Sequence, residues 1–259
     1  MKRNNKKVLN GTNFCKKKVL VITDNLFVYK NFKKIATKQK RAIFKFRFSF
    51  SNKDFLKRFA SNHSFQAINV NLEYQEIIKN FDLVISAHSK QLFPEEMVKN
   101  IKCINIHPGY NPYNRGWYPH VFSIINKQPI GATIHEIDEK IDHGFIIDQV
   151  KVPLYQWDTS ESVYERVLQT EISLVKKNIK KIIANKYYTK KPRKEGNLNT
   201  KKDFNKLCKL DISRISSFRT FINLLRALTH GNYDNAYFID QKSGKKIYIS
   251  INLKIDEKN

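Results

Sequence analysis

A doubly wound α/β domain, with a mostly parallel sheet covered by helices on both faces, is the fold that the sequence predicts. Three observations predict it. Short apolar runs of strand length alternate with segments of helical periodicity. Turn residues bound the apolar runs, as at Thr23-Asp24 and Pro108-Gly109. With 259 residues, 41% of them hydrophobic and 12% aromatic, the chain buries one sizeable core, with room for a small appendage.

The elements follow in order. Residues 1–18 are polar and basic and read as an N-terminal arm, which has the charge of a signal peptide's first segment but no apolar segment behind it. The run VLVITD (19–24) reads as a buried strand, and FKFRFSF (44–50) alternates with the period of a half-buried one. Residues 74–80 form an amphipathic helix candidate, and FDLVIS (81–86) is a second buried strand. Pro94 opens another helix at its tolerated first turn. KCINI (102–106) is a strand that delivers His107, and a helix covers about 117–126, stopped before Pro129. Strands at 131–137 and 146–154 follow. Asp158 and Glu161 form a D-x-x-E capping box ahead of a long helix to about Ala184. Residues 185–199 are a Lys-rich linker. Phe218, Phe221, Ile222, Leu225 and Leu228 share one face of a last helix, and 237–251 read as a hairpin turning at Ser243-Gly244. The division expected is an arm at 1–18, a catalytic domain at 19–190, and a linker with a small helix-plus-hairpin region at 191–259. The arrangement is Rossmann-like, but no GxGxxG follows the first strand, which argues against a dinucleotide cofactor.

The charge needs weighing. There are 48 basic and 23 acidic residues, a formal +25, which points toward nucleic acid. The cations are overwhelmingly Lys and are spread through every segment, whereas nucleic-acid readers concentrate Arg and aromatics in a stripe. Solvated lysine faces, including the run 190–194, together with an anionic substrate account for the excess. The apolar runs are too short for a membrane helix. Cys15, Cys103 and Cys208 make no CxxC or metal-ligand pair, so a cytoplasmic protein with reduced thiols and no metal is expected.

In the parallel-sheet fold, ligands sit beyond the carboxyl ends of the strands. Asn105 and His107 stand at such an end and, two residues apart on a strand, point to one face. An amide and an imidazole side by side serve one reacting group: the amide donates to a developing oxyanion while the imidazole takes or orients a proton. A carboxylate must set the imidazole. Asp142, followed by the flexible His143-Gly144, is the leading candidate, with Asp138 and Asp148 as alternatives.

The stretch 105–147 resembles the formyltransferases that use N10-formyltetrahydrofolate, a family acting on glycinamide ribonucleotide, methionyl-tRNA and nucleotide sugars. Asn105, His107 and Asp142 match its Asn-His-Asp triad, Gly131, Thr133 and His135 its G-x-T-x-H strand, and Asp142 with Gly144 its D-x-G loop. Where the general family continues H-x-S-L-L-P, this chain reads HPGYNPYNRGWYP (107–119), a version that looks like the branch acting on dTDP-linked amino sugars. HSKQLFP (88–94), LRALTHG (225–231) and NAYF (235–238) agree with that branch.

The resemblance implies N-formylation of a dTDP-linked amino-dideoxy sugar, best read as dTDP-4-amino-4,6-dideoxyglucose, for a surface polysaccharide such as an O-antigen. The dTDP-3-amino isomer, glycinamide ribonucleotide and methionyl-tRNA are the rival acceptors, and a basic RNA-binding protein is the rival from another class. It implies that Asn105 stabilises the oxyanion, that His107 bonds it or accepts a proton, and that Asp142 positions His107. The pterin is expected between Ser89, Lys90, Gln91 and Leu92 on one loop and Asp138 and Ile141 on another. Lys90 and Arg115 have pyrophosphate chemistry, and Tyr113, Asn114, Trp117 and Tyr237 are candidates for the thymine or sugar. A homodimer is the expected assembly.

Overall fold

Side-chain alternation along the first strand decides the layering. In the computed structural model, which describes residues 15–256, Val19 and Val21 join one buried cluster while Leu20 and Ile22 join another on the opposite face. Most of the expected basic arm, residues 1–14, lies outside the described residues. Both faces of that strand are covered, as a parallel sheet requires.

In chain order the elements are β1 (Lys17–Ile22), α1 (Leu26–Ala36), β2 (Ala42–Ser49), α2 (Lys53–Arg58), β3 (Phe65–Ile68), α3 (Val70–Asn80), β4 (Leu83–Ala87), α4 (Glu95–Asn100) and β5 (Cys103–His107). Next come β6 (Arg115–Gly116), α5 (Pro119–Asn126), β7 (Ile130–Glu136), β8 (Ile146–Val152) and α6 (Ser160–Ile183). The chain continues with β9 (Leu198–Asn199), α7 (Lys201–Cys208), α8 (Phe218–Leu228), β10 (Ala236–Ile239) and β11 (Lys246–Ile249). The seven-stranded sheet has the order β3-β2-β1-β4-β5-β7-β8. Strands β1 to β5 pair in parallel, and β7 and β8 add antiparallel. This is the mostly parallel sheet that the sequence predicts. The order reverses at β1, whose neighbours are β2 and β4, so the carboxyl ends of β1 and β4 flank a topological switch point.

Helix α6 is the long brace of this sheet. Val163, Val167, Leu168, Leu174, Val175, Ile179, Ile182 and Ile183 recur at helical spacing and are buried. Burying each contributes about 1.5–3 kcal/mol. A second cluster joins α5 and α6 to the C-terminal elements through Phe122, Val163, Val167, Phe204, Ala227, Leu228 and Ala236.

Four expectations need correction. The first strand begins at Lys17, inside the expected arm. The cap of α6 is Thr159, which makes no side-chain cap bond. Asp158 instead accepts from Tyr155 N (2.6 Å), Ser162 Oγ (2.8 Å) and Arg166 Nη2 (2.7 Å), so its carboxylate ties the loop before α6 to the helix's second turn. The 185–199 segment is not a free tether: Lys190 exchanges backbone bonds with Ile146, and β9 pairs with β6. The apolar face read on α8 is buried only at its far end, with Leu228 at 1% exposure against 86% for Phe218.

Asp158→Ala is expected to lower the unfolding free energy by about 2 kcal/mol or more, because it strands charge-assisted donors. Glu161→Ala should change it by less than about 0.5 kcal/mol. Urea denaturation of both variants checks the pair; equal losses would restore the capping-box reading.

Candidate active site

The register of β5 and β7 assembles the site before any loop is considered. Asn105 pairs with His135 and His107 with Thr133, so four polar side chains share one face at the carboxyl end of β5. The pairing of β7 with β8 shifts register between Ile134 and His135, an irregularity that re-aims side chains there. Thr133 fixes the turn that follows His107: its hydroxyl donates to Gly109 O (2.7 Å) and accepts from Asn111 N (3.1 Å). Gly109 passes so close to the imidazole that an added Cβ would lie 2.3 Å from His107 Nε2. That nitrogen is buried and has no hydrogen-bond partner among the described residues.

The loop between β7 and β8 supplies the carboxylate. Gly144 lies against Glu136, where a Cβ would meet the carbonyl oxygen at 1.8 Å, so only glycine lets the loop fold this close. Asp142 itself adopts the left-handed region, φ 48°. Its Oδ1 accepts from Asn105 Nδ2 at 2.8 Å, and its Oδ2 accepts from Gly116 N at 3.0 Å and lies 3.4 Å from His107 Nδ1. Asn111 Nδ2 holds the Asp142 backbone carbonyl at 2.8 Å. His135 Nδ1 donates to Glu136 O at 2.7 Å, which leaves its Nε2 to accept the second Asn105 N–H at 3.3 Å. Both N–H groups of Asn105 are thus engaged.

The electrostatics follow from burial. Desolvation would push Asp142 up, but His107, His135 and the Gly116 N–H together hold its carboxyl well below the usual carboxylate range. Desolvation drives His107 down to about 4 against the pull of Asp142, with His135, His88 and Arg115 also disfavouring its charge. At neutral pH the site holds a carboxylate and a neutral imidazole. With Nδ1 facing Asp142, Nε2 is the nitrogen left with a free lone pair.

The expected binding residues fall into two groups. Leu92 and Ile141 are not core residues: they are 69% and 40% exposed. Lys90 extends an exposed side chain, while its backbone N–H is donated to Asp24 Oδ2 (2.9 Å). Ser89 Oγ accepts from Gln91 N within the loop, and the Gln91 side chain binds Val70 N (3.0 Å) and Ile68 O (3.1 Å), which ties the loop to the β3–α3 junction. Asp138 accepts from His143 Nδ1 at 2.6 Å. Arg115 is 5% exposed, bound to Ile141 O (3.1 Å) and Glu195 (3.0 Å). Trp117 is 38% exposed, and Tyr113 lies under Lys194.

Asn114 and Tyr237 are each engaged elsewhere in the chain. Asn114 is fully buried, donates to Ser123 Oγ, and accepts from Asn126, Asn197 and Asn199, so its amide holds the wall together. Tyr237 packs against Tyr248 and Lys246 in the hairpin.

Sequence reasoning missed five contributors. The Gly116 N–H is a backbone donor and leaves no side-chain signal. Glu195 and Asn197 were hidden in a segment read as linker. Glu171 and His88 form a buried pair, 2.7 Å apart, whose signal is a glutamate placed in the apolar stripe of α6.

Two family models match the chain. One, described as formyl transferase, covers residues 4–179, and the other, described as N-formyltransferase dimerization C-terminal domain, covers 203–255. The dTDP-4-amino-4,6-dideoxyglucose formyltransferase of Mycobacterium tuberculosis is 48% identical over 179 residues, 69% of this chain and 76% of the relative. A crystal structure of a 4-N formyltransferase from Francisella tularensis superposes with a TM-score of 0.89 at 42% identity, covering 93% of this chain and 99% of that one. The formyltransferase PseJ from Anoxybacillus kamchatkensis, solved with UDP-4,6-dideoxy-4-formamido-L-AltNAc and tetrahydrofolate, aligns at 26% identity with a TM-score of 0.54. It covers 73% of this chain and 88% of that one.

The neutral burial of His107 makes a stability prediction with a definite sign. A histidine held at about 4 when folded and near 6.5 when unfolded makes the unfolded state bind more protons between those values. Stability therefore falls as pH drops through that window, by about 3 kcal/mol from this residue. His107→Asn should remove that share of the difference between unfolding free energies measured in urea at pH 7 and pH 4. An unchanged difference would place the charge of His107 elsewhere.

Proposed function

The chain belongs to the formyl transferase family, and from that premise we propose that it formylates the amino group of dTDP-4-amino-4,6-dideoxyglucose, with N10-formyltetrahydrofolate as co-substrate. It is a formyltransferase. The observation that carries the mechanism is the single carboxylate of Asp142, which binds Asn105 and faces His107 and His135. The choice of sugar is supported by the 48% identical relative and the 42% identical 4-N formyltransferase.

The residues present fit such a co-substrate. Leu92 and Ile141 hold apolar side chains out of the core on the loops after β4 and β7. The backbone N–H and C=O of Leu92 make no hydrogen bond among the described residues, which leaves both for a polar heterocycle. When bound, N10-formyltetrahydrofolate supplies the one-carbon group in an activated, amide-like form.

The chain's own residues then divide the work. His107, neutral at Nε2, receives a proton from the side of the attacking amine, while Asp142 stabilises the imidazolium through Nδ1. Asn105 turns one N–H toward the oxygen where negative charge develops, giving up its longer bond, the 3.3 Å one to His135. Its shorter bond to Asp142 keeps the amide aligned during that exchange. Lys90, whose side chain makes no ion pair among the described residues, reaches for the pyrophosphate. Arg115, already oriented by Ile141 O and Glu195, adds a fixed positive field. Trp117 and Tyr113 offer faces for the thymine or sugar.

The assembly we propose is a homodimer through residues 203–255, the stretch that matches the dimerization domain. Ile212, Ile215, Phe218 and Ile222 lie 62%, 98%, 86% and 44% exposed along that stretch, an apolar strip that a second copy would cover.

Mass spectrometry of a reaction containing N10-formyltetrahydrofolate and either the 4-amino or the 3-amino dTDP-dideoxyglucose tests the reaction. One formyl group is expected on the 4-amino sugar, and transfer to the 3-amino sugar alone would overturn the regiochemistry. Asn105→Ala, His107→Ala and Asp142→Ala should each lower kcat by about a hundredfold or more in a folded protein; near-normal turnover by any one would remove it from the mechanism. Phe218→Asp should convert the dimer to monomer in sedimentation at micromolar concentration, and an unaffected dimer would place the interface elsewhere.

A further inference from the structure

Helix α6 carries a glutamate where its packing calls for an apolar side chain. Glu171 follows Leu168 by three residues and precedes Leu174 by three, in the stripe that faces the sheet, and it is fully buried. Its Oε2 lies 2.7 Å from His88 Nε2, and its Oε1 has no hydrogen-bond partner among the described residues. Burial pushes this carboxyl up, and His88 pulls the other way. A buried pair of this kind stabilises a fold no better than well-packed apolar residues do. Packing therefore does not account for it.

The partners of the pair do. His88 leaves β4 at the switch point with φ 64°, a left-handed conformation that a histidine rarely adopts. A directed chain of bonds leads to it. Asn25 Nδ2, a donor only, donates to Tyr164 Oη at 3.0 Å, so the tyrosine's proton turns to His88 Nδ1 at 3.2 Å. The His88 Nε2–H then donates to Glu171. Immediately downstream, Asp24 and Ser49 take the Lys90 N–H at 2.9 and 3.3 Å, and Gln91 is bound to Val70 and Ile68. The backbone of His88 adds a bond from Asp24 N at 3.3 Å. Residues 89–91 are thus tied to β1, β2 and β3, and the His88 side chain ties the same segment to α6.

We propose that Glu171 is a positioning residue for formyl transfer: acting through His88, it holds the Ser89–Leu92 segment in the conformation that receives the folate co-substrate. The role rests on the formyltransferase reading above. It separates the chain's folding from its readiness to bind, since the apolar surroundings of Glu171 accept a leucine of similar size while His88 loses its acceptor. Glutamine keeps an acceptor oxygen and preserves most of the function.

The test compares the full-length wild type with Glu171→Leu and Glu171→Gln. Folinic acid binding is measured by calorimetry, amide hydrogen exchange across 88–92 by mass spectrometry, and kcat and KM by steady-state kinetics. Glu171→Leu is expected to bind folinic acid about tenfold more weakly, to exchange faster across 88–92, and to raise KM for the co-substrate more than it lowers kcat. Glu171→Gln should recover most of both binding and protection. Wild-type affinity and protection in a folded Glu171→Leu protein would overturn the positioning role and leave the formyltransferase reading intact. A wild-type protein that neither binds folinic acid nor transfers formyl would overturn that reading and the positioning role with it. If Glu171→Leu fails to fold, Tyr164→Phe, which removes only the hydroxyl that bonds His88, carries the comparison with the same expected direction, and an unchanged variant again overturns the proposal.

Discussion

A carboxylate taken out of water must find partners, and Asp142 finds them on three strands. Asn105 and the facing His107 come from β5, the Gly116 N–H from β6, and the neighbouring His135 from β7. Each partner is held in place, because strand register fixes three of them and β9 pairing fixes the fourth. The residual charge is what keeps the site poised. Were Asp142 to protonate, Asn105 would lose its stronger acceptor and His107 its orienting charge, and nothing else among the described residues would replace either.

The same constraint explains the density of small residues around the site. Gly109 and Gly144 are not there for flexibility in the ordinary sense. Each allows a backbone to approach another group more closely than a Cβ permits, the imidazole in one case and the Glu136 carbonyl in the other. Thr133 performs the complementary task, using one hydroxyl to hold both sides of the turn between His107 and Asn111. Preorganisation of this kind places catalytic dipoles before the substrate arrives, so that little reorganisation remains for the reaction itself.

Much of this was legible in the residues. Period-2 alternation placed Asn105 and His107 on one face, and apolar runs located β1, β2, β4, β5, β7 and β8 to within a few residues. What stayed hidden has physical causes. Helix α1 begins at an Asn25 cap and opens on four consecutive apolar or aromatic residues, Leu26 to Tyr29, which obscure its period, and β3 is only four residues long. The D-x-x-E pattern at 158–161 is ambiguous because an aspartate one residue before a cap can serve an arginine two turns on just as well. The outward half of α8 follows the same spacing as a core face, so periodicity alone does not tell which of its apolar residues the fold covers. Asn114 read as a recognition residue because polar loop residues near a triad invite that reading, and only the network around it shows its amide fully occupied.

The pairing of β6 with β9 makes the chain less modular than its division into a catalytic unit and a C-terminal region suggests. The two family models end at 179 and begin at 203, yet the residues between them carry Glu195 on Arg115, Asn197 on Asn114, and the strand whose partner presents the Gly116 N–H. The backbone donor to the Asp142 carboxylate is therefore held by a strand lying beyond the unit that bears both. A C-terminal region exchanged at that joint would have to bring a matching bridging segment with it, or Arg115, Asn114 and Gly116 would lose the partners that hold them.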